Sequence, residues 1–582
     1  MQLTRLWYLS ALACSADKQP VHTADTGVSG GDADTDTDSD SDSDSDTDSD
    51  TDSDADSDVC EDPLARAALA FDRRTASAPK AEKALLAEGG IVVADFNGDG
   101  RNDVFIAKKS SEMRRLNADF ATFTTVTAAA FPGVVDTAEL FPDAVGGAAA
   151  DYDGDGDLDL YVTLFGHPNV LMQNDGNGIF TDVTAVAMPV RDCFDDITGL
   201  DIDCYSQSAS WADMDMDGDL DLAVANYGDT PENHLDELMP PGGRKELYQN
   251  NGDGTFTDVS AMLPTSVHEG YGFNMIWMDV DEDGFPELWS VHDFGFIRPS
   301  QLVDNVAGTL DTIDAGNGLD VEFEDMGVGV GDVNGDGIAD FVTTSWEDIA
   351  LRKSSVGPIA DGTLNDVLYI DSADAYSLLV DFDGEKHQEF GWGTELADFD
   401  NDADLDLIAL FGFWQTYENS ARWEFDELWL NEGDSQTPTF AAVGDDPYWA
   451  MNEDDGANRG VVVSDINQDG WVDVIKGSLE GPTPLYLSHC GTEAWLEVLP
   501  RMSTGMNHFA IGAKIVAETT DGTVQTRWLS AGSSSLYSSG PPEVHFGLGN
   551  QKQATVTITW PDMTVDVYEG VDAFQRIELT PQ

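Results

Sequence analysis

Seven times between residues 95 and 473 the chain writes the same nine-residue pattern. The copies are "DFNGDGRND" from Asp95, "DYDGDGDLD" from Asp151, "DMDMDGDLD" from Asp213, "DVDEDGFPE" from Asp279, "DVNGDGIAD" from Asp332, "DFDNDADLD" from Asp398 and "DINQDGWVD" from Asp465, spaced 53 to 67 residues apart. Such a period restricts the chain to one supersecondary unit used repeatedly, in a solenoid, a propeller or an array.

Positions 1, 3, 5 and 9 of the pattern always carry an oxygen-bearing side chain. These are Asp95, Asn97, Asp99 and Asp103 in loop 1, Asp151, Asp153, Asp155 and Asp159 in loop 2, and Asp213, Asp215, Asp217 and Asp221 in loop 3. Loop 4 has Asp279, Asp281, Asp283 and Glu287, and loop 5 has Asp332, Asn334, Asp336 and Asp340. Loop 6 has Asp398, Asp400, Asp402 and Asp406, and loop 7 has Asp465, Asn467, Asp469 and Asp473. Position 6 is Gly in all copies except at Ala403. Position 7 is Arg101, Asp157, Asp219, Phe285, Ile338, Asp404 or Trp471, with no chemical type in common. This is the pattern expected of a Ca²⁺ loop: oxygens from alternate residues converge, a Gly permits the bend, and position 7 supplies only its backbone carbonyl. Up to seven Ca²⁺ ions are expected, each offsetting the repulsion between crowded carboxylates.

An EF-hand is excluded, because it requires a bidentate Glu at position 12 and flanking helices. Position 12 here is Ile106, Val162, Val224, Ser290, Thr343, Ala409 or Lys476. "LDLYVTLFG" after loop 2 alternates like a strand, and "GIVVADF" and "MGVGVGDV" before loops 1 and 5 are short, apolar and Gly-rich. The unit is therefore strand, metal loop, strand. Hairpin turns such as those in "VLMQNDGNGIFTDV" and "LYQNNGDGTFTDV" complete about four strands per period. The expected fold is all-β: a seven-bladed β-propeller with Ca²⁺-binding loops over residues 59–490, followed by a small C-terminal β-domain over 491–582. An open solenoid would need capping units that the sequence does not display.

The N-terminus reads differently. "MQLTRLWYLSALAC" has a positive charge at Arg5, a short apolar core and small residues before Cys14, so residues 1–14 are expected to be an export signal of lipoprotein type, with plain secretion as the alternative. Residues 15–58 are expected to be a disordered acidic stalk. Within them 14 Asp alternate with Ser, Thr or Ala over residues 31–58, leaving nothing to bury. The expected location is the cell exterior or outer membrane, with membrane contact only through a lipid on Cys14. The cysteines fit export: Cys193 and Cys204 are close enough in sequence for a local disulfide, and elimination then pairs Cys60 with Cys490. That second bridge would staple the ring where its ends meet.

The chain carries 111 acidic and 27 basic residues, a net charge of -84. Nucleic acid is therefore excluded as a partner, because a phosphate backbone needs Lys and Arg. An unknown protein or glycan at the cell exterior is the partner expected.

The repeats resemble the FG-GAP or VCBS repeats of integrin-type propellers, over roughly residues 85 to 490. The C-terminal part resembles the ASPIC and UnbV module through Asn507, "IGAK" at Ile511 to Lys514, Gln525 and Arg527, "FGLG" at Phe546 to Gly549 and "WPD" at Trp560 to Asp562. Met563 departs from that pattern, where Gly is usual. Repeats and module in this order resemble the cartilage acidic protein family and its bacterial relatives. The resemblance implies a Ca²⁺-binding exported protein with an adhesive or matrix-associated role.

No G-x-S-x-G elbow or H-E-x-x-H motif occurs, and an active site is normally built once rather than seven times. A non-enzymatic role is therefore expected, with a Ca²⁺-dependent, lyase-like enzyme on acidic polysaccharides as the alternative. Trp211, Trp277, Trp289 and Trp392 are expected to pack between strands rather than bind sugars. Gln525 and Arg527 are open to two readings, a recognition surface or cross-strand pairing.

Overall fold

The computed structural model describes residues 71–75 and 89–582, apart from 192–203, 229–241, 313–317, 320–322, 346–348, 355–368, 372–390, 413–425, 434–437, 444–457, 479–482, 489–490, 533–534 and the single residues 109, 119 and 121. The export signal, the stalk, Cys14, Cys60, Cys193 and Cys490 lie outside the described residues. Cys204 is described and is disulfide-bonded.

The fold is all-β. Among the described residues the repeats form seven four-stranded antiparallel sheets, each built from consecutive strands except the last. Sheet 2 shows the plan: Ala144–Ala150, Asp159–Leu164, Val170–Asn174 and Phe180–Asp182 pair in order, and the metal loop joins the first strand to the second. In every sheet the ninth position of the pattern is the first residue of the second strand, at Asp103, Asp159, Asp221, Glu287, Asp340, Asp406 and Asp473. The expected strand, loop, strand unit is thus observed in all seven copies.

Apolar layers join each sheet to the next. Phe105, Phe131 and Phe141 meet edge to face against Leu160 and Val162 between sheets 1 and 2. Ile91, Val93 and Ile106 of sheet 1 pack with Val462, Ile475 and Leu485 of sheet 7, so the series closes on itself. Sheet 7 takes its outermost strand from ahead of the first repeat: Phe71–Thr75 pairs antiparallel with Pro484–Ser488. The two ends of the repeat region are therefore held by main-chain hydrogen bonds, a few residues from the two cysteines expected to staple them. Trp211, Trp277, Trp289 and Trp392 are all buried between sheets, as the packing reading expects.

The C-terminal module contains a three-stranded sheet, in which Ala494–Pro500 lies between Val544–Gly549 and Gln575–Leu579, and a four-stranded sheet of Val524–Trp528, Lys514–Thr519, Gln553–Thr559 and Val565–Asp572 in that order. It belongs to one unit with the repeats, Asp56–Gln582. From it, residues 530–532 and 535–540 lie between the first strands of the sheets, where Trp211 N–H donates to Ala531 O at 2.9 Å and Val93 N–H to Ser539 O at 2.9 Å. Leu536 and Tyr537 pack there with Val145, Phe273, Met326 and Trp392.

Candidate metal centres

Each loop is shaped by its own carboxylates before any ion is considered. The position 1 aspartate turns back over the loop: Asp151 accepts from the backbone N–H of Asp155 at 3.1 Å and of Gly156 at 3.0 Å. Asp95, Asp213, Asp332, Asp398 and Asp465 do the same with positions 5 and 6, whereas Asp279 holds only Gly284, at 3.1 Å. Position 5 then accepts from the N–H of position 7, as Asp155 does from Asp157 at 3.2 Å.

Position 6 is left-handed throughout, with φ from 81° at Gly100 to 96° at Gly218 and Gly284; Ala403 sits at 88°, where its Cβ costs about 1 to 2 kcal/mol. Position 4 is left-handed in all seven loops as well, at Gly98, Gly154, Met216, Glu282, Gly335, Asn401 and Gln468. Sequence reasoning missed that second bend, although Gly at position 4 in three copies was its signal.

Position 9 ties the loop to the sheet. Asp221 accepts from Met214 N–H at 2.9 Å and from Asn250 N–H, at the end of the third strand, at 2.8 Å. Asp159, Asp340, Asp406 and Asp473 repeat both bonds. A second residue type missed from sequence is the asparagine closing the third strand. Asn174 Nδ2 donates to Leu158 O at 2.9 Å and to Phe96 O of the neighbouring sheet at 2.8 Å. Asn250 and Asn305 likewise clasp the carbonyls of Tyr152 and Met214. Its signal was the Asn standing just ahead of the hairpin turn in sheets 2, 3, 4 and 6, at Asn174, Asn250, Asn305 and Asn431.

In four loops the carboxylates of positions 1, 3 and 9 converge within 4.8 Å of one another: Asp151, Asp153 and Asp159; Asp213, Asp215 and Asp221; Asp279, Asp281 and Glu287; Asp398, Asp400 and Asp406. Position 5 stands outside these groups of three. Of the position 7 side chains, Ile338 and Trp471 are buried apart from the cluster and Arg101 folds onto Asp99 at 2.5 Å. Each of the four loops also holds a buried carboxylate oxygen that accepts no hydrogen bond: Asp153 Oδ1, Asp215 Oδ1, Asp279 Oδ1 with Glu287 Oε1, and Asp400 Oδ1. A buried, unpaired anionic oxygen is costly, so one at each cluster marks a place for a positive charge.

Burial is the main force on these groups. It lifts Asp213 to about 7, Asp221 to about 8 and Asp279 to about 7, helped by neighbouring carboxylates such as Asp217, Asp215 and Asp281. Asp159, Glu287, Asp398 and Asp406 are pushed well above the usual carboxylate range by the same desolvation. The donors are oxygens only, in crowded acidic groups, which suits a hard cation of Ca²⁺ type rather than a thiolate- or imidazole-seeking metal.

Loops 1, 5 and 7 carry Asn at position 3 and answer part of their charge from within. Asn97 Nδ2 donates to Asp103 Oδ2 at 2.8 Å, Asn467 Nδ2 to Asp469 Oδ2 at 2.8 Å, and Ser354 Oγ to Asp336 Oδ2 at 2.5 Å. Loop 1 also has Arg101 on Asp99 and Arg115 Nε 3.7 Å from Asp103.

The C-terminal module lies over this end of the sheets. His508 Nδ1 is 2.7 Å from Asp151 Oδ2, Asn102 Nδ2 donates to Glu543 Oε1 at 3.0 Å, and Lys514 reaches both Glu282 and, at 2.8 Å, Gly337 O. Gln525 is buried and donates to Gly547 O at 2.6 Å, while Arg527 Nη2 donates to Gln525 Oε1 at 3.1 Å. Gln525 is thus held inside the module, while Arg527 is half-buried beside it.

An all-β series of closed sheets with acidic loops on one side, capped by a second β-module, defines the class. Residues 95–162, 151–224 and 213–290 match the FG-GAP-like repeat and residues 503–582 match ASPIC and UnbV, so the chain carries FG-GAP-like repeats followed by an ASPIC and UnbV domain. It is similar to cartilage acidic protein 1 of Homo sapiens, with 25% identity over 498 residues that cover 81% of this chain and 68% of that protein. It is likewise similar to cartilage acidic protein 1 of Mus musculus, 26% identical over 444 residues, 72% of this chain and 62% of the mouse protein. The chain spans about two thirds of the length of these relatives, of which it is a distant one. Among solved structures it is similar to a GH74 xyloglucanase from Xanthomonas campestris, with a TM-score of 0.42 and 12% identity over 73% of this chain and 57% of that one.

Proposed function

We propose that this is an exported, surface-tethered, non-enzymatic binding protein whose seven-bladed β-propeller is held rigid by structural Ca²⁺. The observation that carries the reading is the coincidence, in loops 2, 3, 4 and 6, of three converging carboxylates with buried oxygens that accept no hydrogen bond. The ions would be held by Asp151, Asp153 and Asp159 and by the corresponding residues of the other three loops. Bound Ca²⁺ supplies neutralising charge there, and the chain's own residues do the rest: position 1 bends the loop, position 9 fastens it to the third strand, and Asn174, Asn250 and Asn305 clasp the neighbouring sheet.

The module covers the loop end of the sheets, which leaves the opposite end and its connections to meet a protein or glycan ligand. No helix among the described residues is long and apolar enough to cross a membrane. The tether of this reading is a lipid on Cys14, after the lipoprotein-type signal of residues 1–14. The test is a glycan and surface-protein binding screen in Ca²⁺, run beside a lyase assay on acidic polysaccharides. Saturable binding without turnover is expected. Turnover of an acidic polysaccharide would replace the adhesive reading with the enzymatic one.

A further inference from the structure

Glycines in and beside the first strands of the sheets leave room both for the neighbouring sheet and for the inserted segment, and Gly146 for Tyr537 above all. A Cβ built on Gly90 or Gly146 would overlap the carbonyl oxygen of Tyr537, one on Gly460 would overlap Ser538 Oγ, and one on Gly393 would stand 2.8 Å from Ser535 Oγ. Main-chain and side-chain bonds fill the space they leave. Ser539 N–H donates to Ile91 O at 2.9 Å, Ile91 N–H to Ser538 Oγ at 3.2 Å, and Asn274 Nδ2 to Ser535 O at 2.7 Å. Residues 531–532 and 535–539 are thus built into the ring, with contacts to the first strands of sheets 1, 2, 3, 4, 6 and 7.

The module that carries this segment also reads the metal loops, and it touches them at particular positions. Met506 lies against Gly154, Lys514 against Glu282, and Gly549 N–H donates to Asn401 O at 2.8 Å; all three are position 4. Met563 lies against Gly284, Lys514 donates to Gly337 O, and His545 Nε2 is 3.1 Å from Gly470 O; all three are position 6. Positions 4 and 6 are the two left-handed residues of each loop. The backbone shape that gathers the carboxylates is therefore the shape the module rests on.

We propose that cation binding in the loops and seating of residues 535–540 in the channel are one coupled equilibrium, so that the C-terminal module is a cation-dependent plug of the ring. This rests on the Ca²⁺ reading above. Linkage makes the coupling reciprocal: ions in the loops stabilise the seated module, and the seated module tightens the ions.

The test uses the full chain, with hydrogen exchange followed in CaCl₂ and in excess chelator below the melting temperature, and metal content measured on the same samples. Exchange across 535–540 is expected to accelerate about ten-fold or more once the ions are removed, while the module's own outer strand Val565–Asp572, paired with Gln553–Thr559, keeps its protection. Unchanged exchange in a sample shown to have lost its cation overturns the coupling and leaves the Ca²⁺ reading standing. A chain that binds no cation overturns both. The reciprocal arm uses Leu536→Ala, a buried channel residue that touches no loop. Ca²⁺ affinity is expected to weaken about five-fold or more, and unaltered affinity in the folded variant contradicts the proposal. Should that variant fail to fold, the exchange experiment on the unaltered chain decides.

Discussion

His508 Nδ1 stands 2.7 Å from Asp151 Oδ2, across 357 residues of sequence, so the opening carboxylate of loop 2 has a partner from the C-terminal module. Burial still lifts Asp151 to about 6, against the pull of His508 in the other direction. One imidazole therefore does not balance the loop. Asp153 Oδ1 remains buried without a hydrogen bond.

The difference between loops predicts two classes of Ca²⁺ site. Loops 2, 3, 4 and 6 bring three carboxylates together, while loops 1, 5 and 7 have an Asn at position 3 and internal donors. A Ca²⁺ titration by calorimetry should show a tighter class of about four ions, separated by about ten-fold or more in affinity from the rest, since ligand charge tunes these sites. Seven equivalent sites would contradict the distinction.

Asp215→Asn tests the unpaired oxygen directly. Asp215 Oδ2 is taken by Gln249 Nε2 at 2.5 Å, and Oδ1 faces the cluster without a hydrogen bond. Removing its charge relieves repulsion in the metal-free loop and weakens the ion. The variant should melt higher than the parent in chelator, by about 1 kcal/mol in stability, and gain less from Ca²⁺. Melting curves with and without Ca²⁺ check both signs.

The sheets and loops were legible because each is local: the ninth carboxylate opens the second strand, and a nine-residue pattern shows its ligands at fixed spacing. The clasp by Asn174 was not, because its partner Phe96 O lies 78 residues away in another sheet. The inserted segment was not legible either, for nothing in "SAGSSSLYSSG" announces a channel. The glycines at 90, 146, 393 and 460 did carry the signal, but a Gly in a strand tells only that some backbone comes close, not which one.

The acidic loops should invert the usual response to pH. Asp103 and Asp279 are raised to about 7, Asp213 to about 7 and Asp221 to about 8, chiefly by desolvation, from an unfolded value near 4. A raised pKa means the folded state holds the proton more tightly. That stability is fully present below the unfolded pKa and is lost as pH rises through about 7 to 8. In chelator the melting temperature should therefore fall from pH 5 to pH 8. Saturating Ca²⁺ should flatten or reverse the slope, because it holds the carboxylates ionised. A melting temperature in chelator that rises over this range would contradict the burial of these groups.

Gly146→Val tests the packing of the inserted segment. Its side chain would overlap Tyr537 O and Tyr537 Cβ, with backbone on one side and no flexible tip to yield. A loss of about 3 kcal/mol is expected in denaturant unfolding. The same substitution would be nearly silent in a ring with an open channel.

The central claim, that the loops are cation-dependent clamps, is tested most directly by thermal melts of the full chain in CaCl₂ and in excess chelator, with bound metal counted before and after. The account predicts several bound Ca²⁺ per chain and a large fall in melting temperature when they are stripped. A melting temperature unmoved by complete removal of the metal would contradict it.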